Sequence, residues 1–317
     1  MGDSKRVRNY SVIGRLSSRA DLGANAGALV AAVLFGASVV AVRVAVRDIP
    51  PTTLAVFRFG QGALVLLGAT ALARPEFLRM NLSRLRIAAL LGVIFFSLFP
   101  LSFNAGLKFT QASRGALMLA TMPIWSMLLA RWFIGERLVA RQVIGVGVSL
   151  CGVAIVVVER GLVLEGDGRA LLGDGLVLLT AFWGALYGVL AKRALEREHA
   201  LTLVSYAMLI GTIVLLPIAI GEGLVGEFGQ LDPSLTLIVL FLGIPGGAIA
   251  FGLWTASLAR LSPTQVAIYI NLNPIVAATL GVLLLSERAT PMFVLSFVAV
   301  IAGVILVNWP VPERTGV

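Results

Sequence analysis

The sequence predicts an all-α membrane protein with ten transmembrane helices arranged as two inverted five-helix repeats. Three observations carry this. The chain is 317 residues long, 58% hydrophobic and only 13% charged, whereas soluble domains carry about 25% charged residues. Its apolar runs are of helix length and are separated by short polar turns. A bilayer core about 30 Å thick needs about 20 such residues, and the runs lack the alternation of a membrane barrel. Finally, the chain repeats itself. Residues 113–133, the turn Gly135–Glu136–Arg137 and residues 138–158 return as 264–285, Ser286–Glu287–Arg288 and 289–309, offset by 151 positions without a gap. Pro123 matches Pro274, Glu136 matches Glu287, Arg137 matches Arg288 and Gly152 matches Gly303. Prolines and charges are rare in apolar runs, so these matches outweigh the modest identity elsewhere.

Taken in order, residues 1–23 are polar and basic (Lys5, Arg6, Arg8, Arg15, Arg19) and read as a cytoplasmic tail rather than a signal peptide. Helix 1 is expected over 24–46, ended by the turn at Pro50 and Pro51, and helix 2 over 52–73. A basic loop with Arg74, Arg79, Arg84 and Arg86 leads to helix 3 at 87–106, which carries Pro100. Helices 4 and 5 form the first copy of the repeat, so the first half is 24–158. Residues 159–174 are polar and glycine-containing and read as a periplasmic connector. The second half, 175–309, holds helix 6 (175–193), helix 7 (200–220, with Pro217), helix 8 (235–258, interrupted by Pro245–Gly246–Gly247), helix 9 and helix 10. Ser262 followed by Pro263 is a good start for helix 9. Residues 310–317 form a second cytoplasmic tail.

Five helices per half is an odd number, so the second half crosses in the opposite direction. Seventeen Lys and Arg fall on the side of the N-terminus and six on the other. Basic loops stay inside, so both termini are expected in the cytoplasm. Arginine outnumbers lysine, and Ala, Val and Gly abound, which suggests a GC-rich bacterial genome and hence the bacterial inner membrane.

Several function classes are excluded. The net charge of +9 lies in loops that orient a membrane protein, so nucleic acid is not an expected partner. The single cysteine, Cys151, forms no intrachain disulfide. With one histidine, His199, no zinc cluster is available, and no metal or cofactor is predicted. There is no phosphate-cradling glycine loop for ATP. Glu136 and Glu287 sit at helix ends beside arginines, so no carboxylate relay lies at membrane depth. No polar catalytic set at one depth suggests an enzyme. The expected partners are a small-molecule substrate and the lipid bilayer. No feature sets an oligomeric state, and a monomer is compatible with the sequence.

A second group of residues marks the candidate site. Prolines inside membrane helices free carbonyls that need partners, although proline is also simply commoner there. Pro123 and Pro274, at matching places in two repeats, point to hinges at a substrate region. Pro245, Gly246 and Gly247 are a further hinge candidate. Asn104, Asn271, Asn273 and Gln265 are amides at membrane depth and should point inward, either to line a cavity or to bond between helices. Tyr269 and Asn273, four apart, share a helix face. Arg43 and Arg58 lie near the outer side. They either snorkel or hold an anion with arginine's planar fork, and Arg58 is the deeper. Phe35, Trp125, Trp183, Tyr187, Trp254 and Tyr269 either wall a cavity or pack the bundle. Gly145, Ser149 and Gly152 on helix 5, and Ser296, Ala299 and Gly303 on helix 10, should let those two helices pack closely.

The motifs resemble a known family. Leu34–Phe35–Gly36–Ala37–Ser38 with Arg43, Pro50–Pro51 and Arg58 is similar to the opening of EamA-type transporters in the drug/metabolite transporter superfamily, with Phe35 for the usual Trp and Arg43 for the usual Lys. Phe182–Trp183–Gly184–Ala185–Leu186–Tyr187 looks like the second copy's opening. Pro123 with Gly135–Glu136–Arg137, and Asn273–Pro274 with Ser286–Glu287–Arg288, resemble the family's helix ends, where Asn273 and Ser286 depart from the usual residues. The resemblance covers residues 24–309. It implies ten helices, inverted repeats and movement of small metabolites, often export. One branch, of the YddG type, exports aromatic amino acids, and the aromatic residues above suit it. The resulting expectation is alternating-access export of amino acids without ATP, with uptake or exchange of another anionic solute, such as a nucleotide sugar, as the alternative. Arg58 would hold the anionic end, with Trp183, Tyr187, Trp254 and Tyr269 as walls.

Overall fold

A computed structural model describes residues 19–78, 80–110, 112–159, 168–227, 232–285 and 290–309. All regular structure among these is helical. We label the helices α1 (Arg19–Ala45), α2 (Pro51–Ala73), α3 (Leu82–Leu107), α4 (Gly115–Ile134), α5 (Ala140–Glu159), α6 (Gly168–Ala194), α7 (Ala200–Gly221), α8 (Pro233–Arg260), α9 (263–285) and α10 (Pro291–Asn308). Eight of them are long and apolar enough to cross a bilayer: α1, α2, α3, α4, α6, α7, α8 and α10. Helix α5 contributes a shorter apolar stretch, Ala140–Ile155. Helix α9 runs in three pieces, Pro263–Ala267, a 3₁₀ segment Ile268–Leu272 and Asn273–Leu285.

Local chemistry explains the boundaries. Pro50 and Pro51 open α2, since a first-turn proline costs no hydrogen bond. Helix α3 starts at Leu82, five residues before the expected place, because Asn81 caps it: its Oδ1 accepts from Arg84 N at 3.0 Å. The basic loop is therefore partly a helical turn. Helix α6 likewise starts at Gly168, so the expected connector is shorter than 159–174. Gly173 explains this. A Cβ there would meet Thr110 N at 2.7 Å and Gly106 O at 2.9 Å, so the apolar first turns of α6 lie against the end of α3. Gly135 ends α4 at φ 68, a left-handed conformation that glycine adopts without strain. Pro217 lies within an unbroken α7, with its side chain on the outer surface. Helix α1 begins at Arg19, within the expected first tail, so that tail is shorter than 1–23. The expected turn Ser286–Glu287–Arg288, residues 1–18 and residues 310–317 lie outside the described residues.

The 151-residue offset extends to the elements. The starts at Leu82, Met122 and Ala140 recur at Pro233, Asn273 and Pro291. Both α3 and α8 contain a π-helical stretch, Gly92–Leu98 and Ile244–Ile249. Packing is duplicated as well, and it crosses between the halves. Helices α3 and α4 pack on α6, while α8 and α9 pack on α1; the π stretch of α3 packs on α7, and that of α8 on α2; α2 pairs with α7, and α5 with α10. Neither half forms a separate core.

Hydrogen bonds identify the two ends of the bundle. At one, called the near end, Ser257 Oγ donates to Ala24 O (2.7 Å), Tyr269 Oη to Asn25 Oδ1 (2.8 Å) and Lys192 Nζ to Leu258 O (2.9 Å). These join the start of α1 to the ends of α6 and α8 and the start of α9. At the far end, Glu222 accepts from Thr52 Oγ1 (2.8 Å), Thr52 N (3.2 Å) and Thr53 N (3.3 Å). This carboxylate caps α2, whose own N-cap, Pro50, has no side chain to do so. Thr110 Oγ1 donates to Asp174 at 2.6 Å and ties α3 to α6 at the same end. Many large apolar side chains face outward, among them Leu64, Leu72, Leu171, Leu237 and Val298. Such a continuous apolar perimeter suits lipid.

The α5–α10 pair packs as the small residues predict. Cβ atoms added at Gly145 and Gly303 would come within 2.9 Å and 2.5 Å of each other's backbone carbonyls. Ser296 Oγ donates to Gly152 O across the same seam.

Candidate functional site

Proline and glycine open the helical ladder of α8. Pro245 lacks an N–H, and Gly246 and Gly247 carry no side chain, so the helix widens into its π stretch and leaves carbonyls in need of donors. Arg58 on α2 supplies one: its Nη2 donates to Gly246 O at 3.0 Å. Ser38 of α1 and Gln61 of α2 close in around the same stretch. A Cβ at Gly246 would clash with Ser38 Oγ, and one at Gly243 would clash with Gln61 Oε1. Of the three expected hinge residues of α8, Gly246 and Gly247 are buried and Pro245 is half-buried, at a contact between the halves.

Arg58 is half-buried, and its Nε is fully buried with no hydrogen-bond partner among the described residues. Its guanidinium carbon lies 5.5 Å from the Phe59 ring centre and 6.0 Å from that of Phe251, distances at which an aromatic face attracts a cation. The ion pairs among the described residues are Arg74 with Glu76 and Arg84 with Glu198, both away from this site. Arg58 is therefore a cation within α2 held by a neutral carbonyl and aromatic faces, with N–H groups to spare. By contrast, Arg43 is exposed at the end of α1.

The six expected aromatics do not form one wall. Phe35, Tyr187 and Trp254 join a central cluster that the sequence reading missed, made of Phe59, Phe95, Phe96, Phe99 and Phe251. Ring centres are 4.8 Å apart for Phe35 and Phe251, 5.8 Å for Phe35 and Trp254, 4.7 Å for Phe95 and Tyr187, and 5.5 Å for Phe95 and Phe251. Phe251 links this cluster to Arg58. Trp125 and Trp183 form a second group around Phe182, at 5.7 and 5.4 Å. Tyr269 belongs to neither group, because its hydroxyl reaches Asn25 at the near end. The missed phenylalanines come from α2, α3 and α8, and only the folded chain stacks them together. The buried hydroxyl of Tyr187 and indole N–H of Trp183 have no hydrogen-bond partner among the described residues.

The amides divide too. Asn271 is fully buried and donates to Ser149 Oγ on α5 at 3.0 Å, a bond between helices. Asn273 sits at the α9 break against Gly36 of α1, where an added Cβ would meet Asn273 O at 3.2 Å. Gln265 completes a capping box with Ser262 at the near end. Asn104 lines a far-end cleft of about 160 Å³ with Pro51, Thr52, Lys108 and Glu222. Pro123 and Pro274 each lie in the first turn of a new helical piece, after breaks at 120–121 and 268–272. Pro123 is buried and Pro274 is half-buried. The residue before Pro123, Met122, packs on α6, where a Cβ at Gly184 would meet its Sδ at 2.9 Å. Both breaks therefore face protein.

Comparison with known proteins places this architecture. A sequence profile of the EamA-like transporter family matches residues 23–158 and again residues 171–309. The chain belongs to that family. It is 31% identical over 224 residues to a probable terminal-alkyne amino-acid exporter of Streptantibioticus cattleyicolor, covering 71% of this chain and 73% of that one. It is 26% identical to a probable amino-acid metabolite efflux pump of Escherichia coli, covering 87% and 91% of the two chains. A solved crystal structure with 18% identity superposes with a TM-score of 0.77 over 89% of this chain and 95% of that one, which shows a shared fold. This EamA-family protein is a multi-pass membrane transporter with a small-molecule substrate, and not an enzyme.

Proposed function

We propose that this EamA-family protein is a secondary transporter that exports amino acids, aromatic ones among them, across the bacterial inner membrane by alternating access. Arg58 carries the proposal. A cation at membrane depth is costly, about 2.5–3.5 kcal/mol at least, and its hydrogen-bond acceptor among the described residues is a neutral carbonyl. A substrate carboxylate supplies the missing charge and a bidentate partner for the free N–H groups. The rings around Phe251 and Trp254 offer an apolar wall beside it. Tyr187 and Trp183 present donors without a partner among the described residues. Asn104, Trp125 and Asn273 complete the proposed route between the two ends, whereas Tyr269 and Asn271 bond between helices.

In this proposal the chain crosses ten times as two inverted five-helix repeats, with both termini cytoplasmic. The 151-residue offset of the helix starts, the two family matches and the crossed packing support that architecture. The near end is then the shut cytoplasmic gate, and the far end, which holds the cleft beside Asn104, is the open side. The halves rock about Pro123, Pro274 and the Pro245–Gly246–Gly247 stretch. Export as the direction rests on the names of the relatives above.

Purified protein in liposomes should move a labelled aromatic amino acid without ATP. Arg58→Ala should weaken apparent affinity about 10- to 100-fold, the worth of a charge-assisted hydrogen bond of about 1.5–3 kcal/mol. Unchanged transport in that variant would refute the role. Because Arg58 suits any anion, movement of nucleotide sugars in place of amino acids would give the alternative substrate class.

A further inference from the structure

Glu136 follows the Gly135 turn, and its backbone N–H donates to Ala130 O at 3.1 Å. In the sequence it sits at a helix end beside Arg137. The structure turns it inward. It faces the Ser262 and Thr264 hydroxyls at the start of α9, the Gln142 amide on α5 and the Lys192 ammonium on α6. Glu136 Oε2 and Thr264 Oγ1 are both buried without a hydrogen-bond partner among the described residues. Lys192 is the charged group that faces it, and Lys192 is already committed elsewhere: its Nζ donates to Leu258 O (2.9 Å) and Ala259 O (3.2 Å) at the end of α8. No direct ion pair joins Lys192 to Glu136 within the described residues. Glu196 in turn faces Lys192.

We propose that Glu136 binds a proton when the near end shuts and releases it when that end opens, so that this carboxylate sets the balance between the two states. The proposal rests on the alternating-access reading above. A proton on Oε2 removes the cost of a buried charge where the α4–α5 turn meets the start of α9. Burial holds the Glu136 carboxyl above the usual carboxylate range, outweighing the hydroxyls, Lys192 and Gln142, which pull it down. In an open near end the group meets water and returns to its ordinary range. Being raised in the shut state, it favours the shut state as pH falls through that raised value. The advantage is lost as pH climbs above it, and the balance is flat below the ordinary carboxylate range, where both states are protonated.

Spin labels at the exposed positions of Trp132→Cys and Arg260→Cys, in a Cys151→Ser background reconstituted in lipid without substrate, report the near-end separation. Pulsed distance measurements from about pH 5 to pH 9 cover the range of a perturbed carboxylate. The long-distance population should grow with pH, by at most tenfold in its ratio to the short one per pH unit, the limit for one proton. Glu136→Gln should hold the short distance at every pH. Lys192→Gln, which removes the facing cation, should move the midpoint to higher pH. Two populations whose ratio ignores pH, or a Glu136→Gln protein that keeps the wild-type pH response, would overturn the role of Glu136 alone. A single distance under every condition would overturn both this proposal and alternating access.

Discussion

Gly303 on α10 is the position where one added carbon is most damaging to the α5–α10 seam. A Cβ there would lie 2.5 Å from Gly145 O, 2.6 Å from Ser149 Cβ and 2.8 Å from Ser149 N. Two of these three atoms are backbone and cannot rotate away. Restoring ordinary van der Waals separation requires the two helices to part by about 1 Å, which also loosens dispersion contacts along the seam. Overpacking of this kind costs about 1–3 kcal/mol. Gly147 on α5 is the internal control, because an added Cβ there meets nothing within 4 Å. There alanine should stabilise by about 0.8–1 kcal/mol, the difference in helix propensity. Gly303→Ala and Gly147→Ala should therefore differ by about 2–4 kcal/mol, read by denaturant unfolding of purified protein in mixed micelles. Equal stability of the two variants would refute the inference that backbone contact between α5 and α10 holds the scaffold together.

Three further outcomes follow from the same structure. Glu222→Ala should free the Thr52 and Thr53 amides at the start of α2, cost about 0.5–2 kcal/mol as a lost cap does, and speed hydrogen exchange at those two amides alone. Asn271→Leu should change stability by under about 1 kcal/mol, because interhelical polar bonds in lipid are weak. Asn271→Asp should cost about 2.5–3.5 kcal/mol, as a charge at depth does, and the same unfolding assay separates the two. Asp232 caps α8, with its Oδ1 accepting from Leu235 N at 2.7 Å, and this bond holds its carboxyl below the usual range. Its capping is present above the unfolded-state value and is lost as pH falls through the lowered one. Exchange at the Leu235 amide should accordingly rise in acid, and Asp232→Asn should abolish that dependence.

Most of the architecture was legible in the sequence because its causes are local. Apolar run length predicts helices, prolines and Gly135 mark their ends, and the 151-residue offset of Pro123 and Glu136 against Pro274 and Glu287 marks the repeat. Small residues on helices 5 and 10 foretold their contact, since helix–helix approach in lipid is governed by side-chain size. The π stretches of α3 and α8 were not legible, because widening of a helical ladder depends on what the freed carbonyls meet. Gly246 O meets Arg58 only across the boundary between the halves. The phenylalanine cluster escaped for a similar reason: its members come from α1, α2, α3 and α8, and no periodicity within one helix brings them together.

The sequence by itself determined that this chain is a helical membrane protein with a duplicated plan, and it singled out Arg58 as either a snorkelling cation or an anion holder. Tertiary structure decided which residues keep company with Arg58, that Tyr269 and Asn271 serve contacts between helices, and that Glu136 is sheltered rather than solvated. The physical reason is range. Hydropathy, proline and glycine act within a turn or two of helix, whereas burial of a charge depends on groups arriving from α5, α6 and α9, and only the packed fold brings them together.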